Sequence, residues 1–333
     1  MRSVRLELAL DTDFVLPDLS KPGAGRIAVW RPVMGDDLSS LPKDRVTVLT
    51  GFRPDHDYFA GLGYSVTPAP PYAAGVVCLP RAKALGRDLV AQALTEVSPG
   101  GPVLVDGQKT DGIDSAQKDL RAAGVALGAP LIKAHGKAFV VAAGQTLPPG
   151  WRGGAVQLAS GFWTAPGVFS ADGPDAGSAL LASCLPADLP PRVGDLGAGW
   201  GYLTRAILER RSVKAVDVVE AEAAALDCAR RAVDDPRATF HWADARSFRP
   251  KALWGAVVMN PPFHVGRAAD PDLGVAFLKA AHRGLAPDGR LWLVANRQLP
   301  YEPVLNAMFR KIEVLANGPV HKVILAIGPI RAR

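Results

Sequence analysis

Three glycines at alternate positions, Gly197, Gly199 and Gly201, separate a short β-rich run from a helical one in Val193-Gly-Asp-Leu-Gly-Ala-Gly-Trp-Gly201-Tyr-Leu-Thr-Arg-Ala-Ile-Leu208. A strand that passes into a helix through so little side chain can turn tightly and let a ligand approach the backbone. The surrounding pattern agrees. β-rich runs fall at 192–196, 213–219, 239–242, 256–259 and 290–295, with helical stretches at 221–233 and 274–284. Such alternation predicts a parallel sheet covered by helices on both faces. The end departs from it: the runs at 311–316 and 321–327 flank Asn317-Gly318, and strands joined that closely pair antiparallel. The expectation is an α/β fold, a seven-stranded Rossmann-like sheet ending in an antiparallel hairpin.

A Gly/Pro-rich stretch, Gln145-Thr-Leu-Pro-Pro-Gly-Trp-Arg-Gly-Gly154, interrupts regular structure, so the expected domains are 1–150 and 155–333. The first half reads as a faded copy of the second. Its Val97-Ser-Pro-Gly-Gly-Pro-Val-Leu-Val105 matches Leu285-Ala-Pro-Asp-Gly-Arg-Leu-Trp-Leu293, and Gly75-Val-Val-Cys-Leu-Pro80 can be laid on Ala256-Val-Val-Met-Asn-Pro261. In that alignment Leu79 takes the place of Asn260, and the copy's Val46–Leu49 leads into Thr50-Gly51-Phe52-Arg53-Pro54 without a glycine-rich turn. Charge divides unevenly too. Residues 151–333 carry 22 Lys and Arg against 17 Asp and Glu, residues 1–150 only 16 against 15. The second half therefore accommodates a polyanion more readily.

The glycine loop excludes as well as suggests. A dinucleotide GxGxxG needs glycine where Tyr202 stands, and no GxxxxGK[ST] phosphate loop occurs. A (D/E)xGxGxG loop suits a ligand without phosphates whose cationic amino-acid part sits near Asp195; that ligand is S-adenosylmethionine. Glu220, about 20 residues beyond the loop, is placed to accept both ribose hydroxyl protons, with Asp217 as the rival. Asp244, after the third strand, either accepts the adenine amino group or caps a helix.

Ala256-Val-Val-Met-Asn-Pro-Pro-Phe-His264 carries the acceptor chemistry. Two prolines after Asn260 fix the chain direction and remove two backbone donors. What remains is a pair of acceptors, the Asn260 side-chain oxygen and the Pro261 carbonyl, suited to both hydrogens of a planar NH2 group. Phe263 is placed to stack on the ring bearing that amine. An exocyclic base amine is already neutral, so orientation toward the methyl donor matters more than a strong base.

Asp195–Gly201, Glu220, Asp244 and Asn260–Phe263 follow the order of a class I S-adenosylmethionine-dependent methyltransferase acting on an amino nitrogen. More closely, Pro166-Gly-Val-Phe-Ser-Ala-Asp-Gly-Pro-Asp-Ala-Gly-Ser178, Asn260-Pro-Pro-Phe-His264-Val-Gly266 and Ala295-Asn-Arg-Gln-Leu-Pro-Tyr301 resemble the bacterial ribosomal RNA guanine-N2 methyltransferases of the RsmC/RlmG-like family. The resemblance covers most of 155–330 and is thin over the first half, although that family also carries a degenerate N-terminal methyltransferase-like domain. It implies methylation of a guanine N2 amine in ribosomal RNA, 16S favoured over 23S, with S-adenosyl-L-methionine as cofactor and no metal. It further implies that Phe169, Ser170, Gly177 and Ser178 close the cofactor pocket, that Pro262, Phe263, His264 and Tyr301 face substrate, and that the first domain docks RNA or supports stability. Tyr301 has the alternative of packing beneath the final hairpin. A basic patch of Arg81, Lys83 and Arg87 is the copy's candidate RNA contact.

Two other functions fit the same residues: transfer to adenine N6 or to a protein glutamine amide, and a non-catalytic RNA-binding or ribosome-assembly factor. The retained Asp195, Glu220, Asp244 and Asn260 weigh against the last. Cys78, Cys184 and Cys228 lack CxxC spacing, which argues against a disulfide framework or zinc site and for a reducing compartment. No apolar run reaches the roughly 18 residues of a membrane span, and Leu6 to Leu10, broken by Glu7, is too short for a leader. A cytoplasmic monomer acting on ribosomal RNA or a ribosomal subunit, with no membrane partner, is the expectation.

Overall fold

The computed structural model describes residues 2–18, 25–147, 149–262, 264–265, 268–269 and 271–331. The chain divides into two compact units, Met1–Gly154 and Ala155–Arg333.

The second unit opens with the small ribbon β7 (Val156–Gln157) and β8 (Trp163–Thr164). Helix α5 (Ala176–Cys184) leads to the sheet strand β9 (Arg192–Leu196), then α6 (Tyr202–Leu208), β10 (Ala215–Glu220), α7 (Ala223–Ala232), β11 (Ala238–Trp242) and β12 (Trp254–Met259). After the short pair β13 (His264–Val265) and β14 (Ala268–Ala269) come α8 (Pro271–Gly284), β15 (Leu285–Asn296), α9 (Glu302–Met308), β16 (Phe309–Asn317) and β17 (His321–Pro329). The seven-stranded sheet runs β11-β10-β9-β12-β15-β17-β16, parallel through β15 and antiparallel at β17 and β16. The hairpin forms as expected, but its turn is longer than Asn317-Gly318 alone. Asn317 still pairs with Lys322, and Gly318 N–H donates to the His321 carbonyl at 2.8 Å.

Apolar strands bury both faces of this sheet. Val193, Val216, Val258 and Trp292 meet Leu181 of α5 and Ile207 of α6 on one side; Leu196, Val257, Met259 and Leu291 meet Phe277 and Leu278 of α8 on the other. Each fully buried aliphatic side chain contributes about 1.5–3 kcal/mol, so this double burial fixes the strand order. It also leaves the carboxyl ends of β9, β10 and β12, where the order reverses, as the place for a ligand.

The first unit has the order α1 (Arg2–Leu10), β1 (Ile27–Trp30), β2 (Val46–Leu49), α2 (Arg53–Gly61), β3 (Ala74–Cys78), α3 (Lys83–Glu96), β4 (Pro102–Gln108), α4 (Ile113–Ala122), β5 (Leu131–Lys133) and β6 (Gly136–Ala142). Its sheet, β2-β1-β3-β4-β6-β5, matches the second sheet without β11. Register then places the two on each other residue by residue. Val29 pairs Val76 and Val76 pairs Leu104, as Asp195 pairs Val258 and Val258 pairs Trp292. The turns agree: Arg31 (φ 55°) and Gly35 (φ 89°) fall on Gly197 (φ 74°) and Gly201 (φ 90°). Arg31 N–H donates to the Leu49 carbonyl at 2.8 Å, as Gly197 N–H does to Val219 at 2.9 Å.

This register corrects the sequence alignment. Cys78, and not Leu79, stands where Asn260 stands, because a one-residue slip would turn Val76 and Val77 to the wrong faces. The strand in the glycine-loop place is Ile27–Trp30, not Val46–Leu49. The copy thus has Val29 for Asp195, Arg31 for Gly197, Val33 for Gly199, Thr50 for Glu220 and Cys78 for Asn260. Trp151, in the Gly/Pro stretch, packs into this unit's core under the Arg87 guanidinium.

Candidate active site

Leaving β9, the chain takes positive φ at Gly197, Gly199 (56°) and Gly201. A side chain at Gly201 would press on Ala229 and Val233, whereas a Cβ at Gly199 would meet nothing within 4 Å. The loop is therefore packed at one end and open above Gly199. An open cleft lies there, lined by Phe169, Ser170, Asp175, Ser178, Gly197 to Leu203 in part, and Asn260.

Asp195, completely buried on β9, accepts a hydrogen bond from Thr204 Oγ1 at 2.6 Å. Its Oδ1 has no partner among the described residues. Burial pushes this carboxyl up to about 7, with Thr204 opposing and the Glu220 charge adding to the rise. A buried carboxylate with an unused oxygen is costly unless a donor arrives, and an amino-acid ammonium is such a donor. Glu220 ends β10 and accepts from Gly199 N–H at 2.8 Å and Glu222 N–H at 2.7 Å, which aims the carboxylate across the loop. Burial pushes its carboxyl above the ordinary range against those two bonds. Asp217, the rival, faces elsewhere: it accepts from Trp254 Nε1 at 2.8 Å and lies 2.8 Å from His241 Nε2. Burial opposes ionisation there, but these bonds hold Asp217 below the usual carboxylate range.

Asp244 follows β11. Its carboxylate binds the Arg246 side chain, Nη2 to Oδ2 at 2.7 Å, and the Arg246 N–H at 2.9 Å, while its carbonyl receives the N–H groups of Ser247 and Phe248. It organises its own turn, and an adenine amine would share the carboxylate with Arg246.

At the end of β12, Asn260 borders the cleft. Its Nδ2 donates to Asp175 Oδ2 at 3.0 Å and Ser178 Oγ at 2.9 Å. A carboxylate only accepts, so chemistry dictates which amide end is nitrogen and leaves Oδ1 as the outward acceptor. Pro261 is buried and Pro262 exposed. Phe263 lies outside the described residues, as does the side chain of His264. Tyr301 departs from the substrate-facing expectation. It is 2% exposed within the core of α8, α9 and β15, its hydroxyl against Gly274, which matches the packing alternative.

Two residues that the sequence reading passed over help shape the cleft. Trp200, buried within the glycine loop, donates from Nε1 to the Phe169 carbonyl at 2.9 Å and meets Phe162 edge-on, so the loop and the 162–170 segment form one wall. Phe169 itself is 64% exposed over the cleft. Asp175 caps α5, accepting from Ser178 N–H at 2.9 Å. Its signal was present in the spacing of Asp175 and Ser178 ahead of an apolar helix.

The residues fit S-adenosylmethionine in kind: open backbone at Gly199 on the cleft, Glu220 bonded to that backbone, and the fully buried Asp195, which is not among the residues lining the cleft, with an unused oxygen suited to an ammonium. Among the described residues no group of three or more His, Cys, Asp or Glu is placed to hold a metal ion. No described helix is long and apolar enough to cross a membrane.

The methyltransferase small domain family model matches residues 159–325. Ribosomal RNA small subunit methyltransferase C of Aeromonas hydrophila is 29% identical, over 84% of this chain and 86% of that protein. The Pseudomonas paraeruginosa protein of the same name is 30% identical, over 79% and 81%. Among solved structures, the T. thermophilus 16S rRNA N2 methyltransferase RsmC in complex with AdoMet and guanosine matches with TM-score 0.77 and 25% identity, covering 92% of this chain and 89% of that one.

Proposed function

The chain belongs to the family of small-domain ribosomal RNA methyltransferases typified by RsmC, and from that premise we propose how its own residues perform the transfer. It uses S-adenosylmethionine to methylate the exocyclic N2 amine of a guanine in 16S ribosomal RNA. The observation that carries the residue assignment is the Asn260 amide, whose nitrogen is engaged by Asp175 and Ser178 and whose oxygen is thereby an acceptor at the cleft.

S-adenosylmethionine, when bound, supplies an electrophilic methyl on sulfur. Asp195 receives the ammonium end, Glu220 the ribose hydroxyls, and Asp244 the adenine amine. Asn260 Oδ1 and the Pro261 carbonyl would accept hydrogen bonds from the two hydrogens of the target amine and aim its lone pair at the donor methyl, and the extra proton on the methylated nitrogen would pass to water. The sequence motif assigns Pro262, Phe263 and His264 to the nucleotide, with Phe263 as the ring to stack on the base. Holding the reacting atoms in line provides the acceleration, and no strong base is required to activate a neutral amine. The guanine must leave its stack, at a cost of roughly a few kcal/mol, which stacking on an aromatic ring, about 1–3 kcal/mol, offsets.

In this reading the first unit keeps the fold without the chemistry and serves as a support and RNA-docking module. Lys83 and Arg87 share one carboxylate, Asp119, at 3.5 and 2.6 Å, which leaves that patch an excess of positive charge. The protein works as a monomer in the cytoplasm, on ribosomal RNA or a ribosomal subunit. Incubation with labelled S-adenosylmethionine and unmodified 16S RNA, 23S RNA or free nucleosides, followed by nucleoside analysis, tests the activity. N2-methylguanosine from 16S RNA is expected; label in adenine, or none from any RNA, overturns it.

A further inference from the structure

An asparagine amide has two ends of nearly equal shape and opposite hydrogen-bonding sense. Rotated by half a turn, Asn260 would present two N–H donors to a target amine that is itself a donor. Something must forbid that rotation. Asp175 Oδ2, at 3.0 Å, and Ser178 Oγ, at 2.9 Å, receive the Nδ2 group, and the first of these bonds is charge-assisted. The same Asp175 oxygen accepts Ser178 N–H and so starts α5, tying the helix terminus and the amide to one atom.

We infer that Asp175 and Ser178 are positioning residues for methyl transfer, acting through Asn260 by fixing its oxygen toward the target amine. The inference rests on Asn260 as the amine holder and adds residues that reach the reaction only through it. The first unit supplies a contrast. There α1 packs on β4, β5 and β6 as α5 packs on β15, β16 and β17. Where the second unit has an Asp and Ser facing Asn260, α1 brings Arg2 and Arg5, both bound to Asp106, and Cys78 stands in the asparagine's place. The amide and its clamp are absent together.

The full chain is tested with S-adenosylmethionine and 16S RNA, reading kcat, both KM values, cofactor affinity by calorimetry, and melting temperature. Asp175→Ser keeps an oxygen that can cap α5 but is too short to reach Asn260. Ser178→Ala removes the second acceptor, and Asp175→Asn keeps both the cap and an acceptor oxygen. Asp175→Ser and Ser178→Ala are expected to lower kcat by roughly 10- to 100-fold, the loss that small misplacements of reacting groups produce. Cofactor affinity and melting temperature should stay near those of the parent, and Asp175→Asn should recover most of the turnover. Parental kcat in both Asp175→Ser and Ser178→Ala, with Asn260→Ala inactive, overturns the clamp alone. Losses confined to cofactor affinity or to melting temperature overturn it as well. An active Asn260→Ala instead removes the amine-holding role beneath it.

Discussion

The two units share strand order, parallel register and the left-handed turn after the first sheet strand, yet the polar side chains set around that turn differ completely. In the second unit the carboxyl ends of β9, β10 and β12 carry Asp195, Glu220 and Asn260 around open backbone. In the first, the same places hold Val29, Thr50 and Cys78, and a buried ion cluster occupies the neighbourhood. Arg5 binds Asp106 at 2.6 and 2.9 Å and Arg2 binds it at 2.9 Å, while Arg2 also pairs with Asp36, at the place of cleft-lining Tyr202. Arg5 and Asp106 are 0% and 1% exposed. The fold rests on apolar faces and the chemistry on a handful of polar side chains, so one can persist where the other has gone.

Exchanging residues between the units gives the sharpest test. Asn260→Cys, which writes the first unit's residue into the second, should reduce turnover by roughly 10²–10³-fold, the scale of losing one preorganised polar contact to the reacting group. Cofactor affinity by calorimetry should change little. Asp106→Ala in the first unit leaves Arg5 buried without its anion and should cost about 3–5 kcal/mol of that unit's stability. Urea unfolding checks this, with turnover per folded molecule retained. Gly199→Val forces a β-branched residue into positive φ, a strain of about 1–3 kcal/mol, and should weaken cofactor binding roughly 10- to 100-fold.

A smaller effect follows from protonation. With its pKa near 7 against an ordinary 3.8, Asp195 holds a proton in the folded chain that the unfolded chain has released. Stability of the cofactor-free protein should therefore fall as pH rises between those values. The ammonium of the ligand needs the ionised form, so affinity should climb as pH rises toward about 7 and level off above it. Asp195→Asn should remove both dependences. The smallest effect belongs to Cys78, whose thiol burial pushes up to about 12, leaving it neutral and inert. Cys78→Ala should leave turnover within about twofold while costing on the order of 1 kcal/mol in packing. A large loss of turnover would mean that the first unit takes part in the reaction.

The sheet was legible because Val193, Val218, Val257 and Leu293 sit in runs whose burial admits one arrangement, and the glycine loop because three glycines with positive φ are rare outside such turns. Glu220 closes its strand while Asp217 lies within it, a difference visible in sequence, and the bonds of Asp217 to Trp254 and His241 account for the latter's different orientation. Less could be read where a role depends on neighbours distant in sequence. Tyr301 ends under α8 against Gly274, and the position of Cys78 required strand register, which a short apolar match leaves free by one residue. Asp175 acts across 85 positions on Asn260, and its local sequence reveals a helix cap without the second bond.

Gly35 and Gly201 hold φ values of 89° and 90°. The first unit keeps the bend without the neighbouring acidic set, so the bend does not depend on those carboxylates. Anyone wishing to build a second nucleoside pocket into this scaffold would inherit the bend ready-made. The labour would lie in evicting two arginines and giving their carboxylates other company.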